Sequence, residues 1–117
     1  MRIDWDDYHR VHASRLNLLI HLVAVPLFVG AVISVCLAAW RGDFFSVLIS
    51  AGIGLIAMLL QGRGHKLESE TPRPFTGPAN FLRRLFTEQF IIFPLFLISG
   101  RWWRHFRRSG KMVSNEP

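Results

Sequence analysis

A single cysteine, Cys36, stands in the 117-residue chain. It excludes an intrachain disulfide framework and any metal site built on cysteine pairs, and within an apolar run its expected role is packing. Glycine-rich nucleotide-binding motifs and nucleophile triads are missing too, so phosphoryl and acyl transfer find no support. Acidic residues are few, 8 against 14 Lys and Arg, for a net charge of +6. That excess could suggest nucleic acid. It fits better as basic residues flanking membrane spans on the side of anionic lipid. There is no internal repeat, and the length suits one domain.

What the chain has in quantity is hydrophobic residues, 50% of the total, gathered in long blocks. Residues 18–40 are apolar except for His21 and Ser34. As a helix they would reach about 34 Å, enough to cross about 30 Å of hydrocarbon. A signal peptide is the rival reading, but the run is long for one and no A-x-A site follows. Arg41-Gly42-Asp43 makes a tight polar turn. Residues 44–61 form a second run, about 27 Å as a helix. So short a turn predicts an antiparallel hairpin, with Gly52, Gly54, Ala51 and Ala57 allowing close helix approach. All the Lys and Arg except Arg41 lie outside the turn. The positive-inside rule then puts both termini in the cytoplasm, or on the cytoplasmic side of the inner membrane in a bacterium.

Residues 63–78 read as a loop broken by Pro72, Pro74 and Pro78. In residues 80–98, Arg83, Arg84, Glu88 and Gln89 interrupt the first half, and only 90–98 is cleanly apolar. A re-entrant or interfacial helix is expected there, with a third span as the alternative. Residues 101–111 (RWWRHFRRSGK) open a basic-aromatic tail, 101–117, suited to an anionic membrane surface. Disorder is expected in its last six residues. The fold class is therefore an all-α polytopic membrane protein, a transmembrane hairpin plus a re-entrant or third membrane helix.

Histidines cluster at the open end of this hairpin. His21 lies 21 residues before Gly42 and His65 lies 23 after it, a difference in depth of about 3 Å if both arms are helical. His12 and His9 precede the first span on the same side, and Glu68 follows His65 by three. An ionisable residue within a span is a functional candidate by default. Imidazoles with a carboxylate suit a non-haem iron site with open positions for oxygen and substrate. His12 and His21 are nine apart, on opposite sides of an ideal helix, so His12 must sit beyond a break. Asn17 shares a face with His21 and could orient a ligand or substrate. Glu88, opening an apolar run, should pair with Arg84 or reach the site. His9 could add a ligand, although a solvated role is commoner. His105 reads as solvated, and Asp4, Asp6 and Asp7 as solvated acids.

The motif HxxxxNxxxH (His12, Asn17, His21) enters a span and is followed by Pro26, a hairpin, Gly64-His65 with a nearby Glu, and a proline-containing loop. With PFTGPANFLRRLFTEQFIIFPLFLISGRW it resembles the bacterial branch of the Mpo-type family, over roughly residues 8–103. These small polytopic membrane proteins are related to the yeast 2-hydroxy fatty acid dioxygenase of α-oxidation. The resemblance implies an Fe(II)-dependent enzyme that uses oxygen to shorten a 2-hydroxy fatty acid by one carbon. It maps the essential histidines onto His12, His21 and His65, with Asn17 at the family asparagine. The chain departs from the yeast-like form in having one histidine rather than a pair at residue 12. Its glutamate comes three rather than four residues after His65, and PRPFTGPANF replaces a Pro-Ala-Leu stretch.

The expected metal ligands are thus His12, His21, His65 and Glu68, with Glu88 as the alternative carboxylate, and Arg63, Lys66, Arg83 or Arg84 would steer a substrate carboxylate. The expected partners are a lipid or fatty-acid substrate, molecular oxygen, the membrane and, as an open alternative, a second copy in a homo-oligomer; nucleic acid is not among them. Two other readings stand beside the oxygenase. One is a bis-histidine haem protein using His21 and His65. The other is a non-enzymatic membrane scaffold that binds lipid or a partner through its tail.

Overall fold

The structure, a computed structural model, describes residues 3–70 and 72–114. The described residues form helices and no strands: α1 (Trp5–Arg10), α2 (Arg15–Trp40), α3 (Phe44–Lys66), α4 (Pro78–Thr87), a π-helical turn (Glu88–Ile92), α5 (Phe93–Ile98) and α6 (Arg101–Ser114). Two of them, α2 and α3, are long and apolar enough to cross a membrane.

Local chemistry sets the ends of α2 and α3. Ser14 caps α2 by accepting from the Asn17 N–H at 3.3 Å. Asp43 caps α3 by accepting from the Ser46 N–H at 3.1 Å and its hydroxyl at 2.6 Å. Between them the chain reverses through a Schellman motif. Gly42 takes φ +71°, its N–H donates to the Ala39 carbonyl at 3.1 Å, and the Asp43 N–H donates to Ala38 at 2.9 Å. A left-handed φ is cheap only for glycine, which explains the residue at the tip.

The hairpin arms pack through small residues. Ala24, Phe28 and Ala57 form one buried cluster, and a Cβ added at Gly54 would stand 3.5 Å from that of Ala31. Of the four small residues expected at this contact, Gly54 and Ala57 are buried, whereas Ala51 and Gly52 are exposed on the other face. The outward sides carry Val23, Ile33, Leu37, Leu48, Leu55, Ile56 and Leu59, all at least half exposed. Among the described residues, so broad an apolar surface has no partner.

The second core lies at the open end of the hairpin. Tyr8, Leu18, Val25, Phe93, Phe96 and Trp102 pack together there, with Trp5 against them. Trp102 donates its indole N–H to the Leu18 carbonyl at 3.2 Å, and Arg15 Nε donates to the Phe106 carbonyl at 2.9 Å. These bonds seat α6 on the first turns of α2.

Three expectations on element limits need correction. The second apolar helix runs on to Lys66 rather than ending at 61, so His65 is helical and not in a loop. Helical backbone tolerates the polar Gly-Arg-Gly-His stretch because α3 ends among basic residues that complement its negative dipole end. Residues 78–98 are helical throughout but interrupted by the π turn at Glu88. The tail is helical to Ser114, where disorder was expected from 112; residues 115–117 lie outside the described ones.

Candidate metal centre

Three elements deliver the imidazoles. His12 sits in the break between α1 and α2, His21 in the second turn of α2, and His65 in the last turn of α3. The break lets His12 and His21, on opposite sides of a straight helix, face one another. Their ring centroids are 4.8 Å apart, His12 and His65 are 4.8 Å apart, and His21 and His65 4.9 Å. The three rings form a nearly equilateral set, each edge-on to the next at 73–82°.

Backbone carbonyls fix which nitrogens face inward. His12 Nδ1 lies 2.8 Å from the Tyr8 carbonyl, and His21 Nδ1 lies 3.0 Å from the Asn17 carbonyl. Each Nδ1 therefore carries the proton and donates, leaving Nε2 as the lone-pair nitrogen. Both Nε2 atoms are buried without a hydrogen-bond partner, as is His65 Nδ1. A backbone carbonyl on the far nitrogen is how metal-binding histidines are commonly oriented. Three buried imidazole nitrogens left open together call for a shared partner, because an unsatisfied buried polar atom is costly.

The carboxylate among them is Glu88. Its Oε1 lies 3.4 Å from His12 Nε2 and 3.8 Å from His21 Nε2. Ligand atoms of His12, His21, His65 and Glu88 all fall within 4.8 Å of one another. Ligands about 2.1 Å from one ion stand about 3 to 3.5 Å apart, so a small inward movement would close the set on a metal. Glu88 begins the π turn, a feature often found where a helix re-aims a functional side chain.

Glu68, named from the sequence as a ligand, is not in this group. Both its oxygens accept from the Ser14 N–H, which ties the end of α3 to the start of α2. It comes three residues after His65, past the last turn of α3. Arg84 does not pair with Glu88. It donates to the Arg73 and Pro74 carbonyls at 2.9 and 3.3 Å and lies over the Phe75 ring, holding the loop onto α4. Lys66 is exposed on the last turn of α3, and His9 faces α6, stacked on His105. Asn17 is buried with neither amide atom partnered, packed so closely on Gly64 that a Cβ there would strike its Oδ1.

Three neighbours were not assigned to the site from the sequence. Tyr8 stacks on His12 with centroids 4.1 Å apart, and its hydroxyl donates to Glu88 at 3.5 Å. Burial first, then the Glu88 charge, raises its phenol well above the ordinary value, so it stays protonated and a donor. The i, i+4 spacing to His12 on a helical lead was the available signal. Gln61 and Gln89 exchange two hydrogen bonds, 2.9 and 2.6 Å, and join α3 to the π turn beside Glu88. Each borders an apolar run, and their partnership across 28 residues left no local trace.

Two cavities adjoin the group. One, of about 660 Å³, is lined by Tyr8, His12, His65 and Glu88 and by Arg73, Arg83 and Arg84. The other, of about 350 Å³, has the apolar walls Met58, Phe75, Phe81 and Leu85 and shares His65, Arg84 and Glu88. Fold and site together define an all-helical chain with two membrane-length helices and a group of three histidines and one glutamate, in which His12 and His21 are buried and His65 and Glu88 half-buried. Compared with protein-family models, curated proteins and solved structures, the chain matches none.

Proposed function

We propose that the chain is an integral membrane oxygenase whose His12, His21, His65 and Glu88 hold one Fe(II), and that its substrate is a 2-hydroxy fatty acid or a similar lipid-derived acid. One observation carries the metal: three open imidazole nitrogens and a carboxylate converge in a buried space. The resemblance to the Mpo-type family supplies the reaction class. Both termini face the cytoplasm in this reading.

The cavities suit an amphiphile. Arg73 and Arg83 line the polar one and would attract a carboxylate. The apolar one would take the start of an acyl chain. Their shared edge at His65 and Glu88 would place carbons 1 and 2 beside the ligands. Tyr8 holds a proton against Glu88, and Arg84 fixes the Arg73–Pro74 stretch that lines both cavities. Bound iron would supply the electron exchange with dioxygen and an anchor for the carboxylate and 2-hydroxyl. The overall change balances: the 2-hydroxy acid and one O2 give the acid one carbon shorter, CO2 and water.

A bis-histidine haem is disfavoured by the packing. His21 and His65 stand edge-on with centroids 4.9 Å apart and His12 equally near, leaving no flat slot between them for a macrocycle. The test of the oxygenase is turnover of a 2-hydroxy fatty acid by iron-loaded protein under oxygen. The shortened acid should appear with wild type and not with His65→Ala. Equal product from His65→Ala, or none from iron-loaded wild type across a range of chain lengths, would overturn the assignment.

A further inference from the structure

A third cavity, of about 420 Å³, is lined by His9, Arg101, Arg104, His105 and Arg108 and by none of the proposed iron ligands. Residues 101, 104, 105 and 108 recur at i, i+3, i+4 and i+7, so α6 turns a single basic face to this space. No Asp or Glu occurs in Arg101–Ser114. Among the described residues, none of the three guanidinium groups is paired with a carboxylate; Arg101 lies over the Trp5 ring at 4.6 Å. Like charges at these spacings repel and weaken a helix unless an anion lies among them.

α1 completes the wall. His9 stacks on His105 with centroids 4.6 Å apart, and its Nε2 is buried without a hydrogen-bond partner. Burial and then the charges of His105, Arg101 and Arg108 push the His9 imidazole below its ordinary value; only Asp6 acts the other way. No carboxylate is among the residues that line the cavity. His105 Nε2 donates to the His12 carbonyl at 2.9 Å, which places the cavity one hydrogen bond from the residue that begins the metal group.

We infer that this cavity is a binding site for a phosphate ester anion, held by Arg101, Arg104 and Arg108 with His9 as a further donor. Several guanidinium forks converging on one concave space are the usual recognition chemistry for a tetrahedral oxyanion. The anion can come from a phospholipid headgroup at the membrane surface or from a soluble phosphate. The site uses none of the proposed iron ligands, so it stands or falls apart from the oxygenase.

The experiment uses the full chain in detergent. One arm measures retention of phosphatidylglycerol by native mass spectrometry, with diacylglycerol as the phosphate-free control. The other titrates glycerol phosphate by calorimetry. Saturable binding at one per chain is expected in at least one arm, weakened at least about tenfold in Arg104→Gln/Arg108→Gln. Arg107→Gln, whose guanidinium lies toward Trp103 on another face, should bind like wild type. Binding in the lipid arm alone identifies a headgroup site; binding in both identifies the phosphate as sufficient. The Arg104 and Arg108 side chains are exposed and make no described hydrogen bond, so the double variant should keep wild-type helicity and metal content. Absence of saturable binding in both arms, or equal binding by the double variant, would overturn the inference.

Discussion

Glu88 and Glu68 separate the two roles a carboxylate can take at this end of the hairpin. Glu88 faces the open imidazole nitrogens, and Glu68 holds the Ser14 N–H. Glu88→Gln keeps the shape and removes the charge, so the iron-loaded protein should lose its metal on desalting. Glu68→Gln should keep it, because an amide oxygen still accepts from Ser14. Iron assay after gel filtration decides the matter, and the opposite pattern would restore Glu68 as the ligand. The sequence could name both carboxylates but not rank them. Glu68 is near His65 along the chain, whereas Glu88 is near it only once residues 78–98 fold back over the hairpin. The similar depth of His21 and His65 was legible because a short turn sets the depth of residues counted outward from Gly42, whereas His12 joined them through the family resemblance. Tyr8 was legible in principle, four residues before His12, but reads equally as an interfacial aromatic.

Among the elements, the contact between the hairpin and the π turn rests on Gln61 and Gln89, 7% and 1% exposed. Gln89→Leu would strand a buried amide and should destabilise the fold by about 1 to 3 kcal/mol. The double variant Gln61→Leu/Gln89→Leu should recover most of that loss, since no amide is left unpaired. Unfolding in a denaturing detergent series measures both; a double variant as unstable as the sum of the singles would refute the pairing. At the other arm of the contact, Gly64→Ala should cost about 1 to 3 kcal/mol by forcing Asn17 out of place. Asp43 gives the hairpin a pH signature. Hydrogen bonds from Ser46 hold its carboxyl below the ordinary value. A depressed carboxyl stabilises fully above its unfolded pKa of about 4 and loses that effect as pH falls through the folded value. The melting temperature should therefore drop more between about pH 5 and pH 3 in wild type than in Asp43→Asn, which keeps an uncharged capping oxygen. Helix existence was readable from apolar run length, but helix ends were not. Arg15–Asn17 and Gly62–Lys66 are polar stretches that stay helical because caps and tertiary contacts outweigh their hydration.

Across the whole molecule, the long axis is 57 Å against about 30 Å of bilayer hydrocarbon. The hairpin can therefore lie immersed while its open end, with the histidines and the basic face of α6, meets the interface. Reporters fused to either terminus should both read cytoplasmic; opposite readings would mean that residues 78–98 cross as a third span. The metal group carries the most of this interpretation, and its content is directly measurable. Protein purified in detergent, loaded anaerobically with Fe(II) and desalted should hold about one iron per chain, and His65→Ala prepared alongside should hold none. No retained metal in wild type after separate loading with iron, zinc and manganese would contradict the centre and leave a membrane scaffold as the better description.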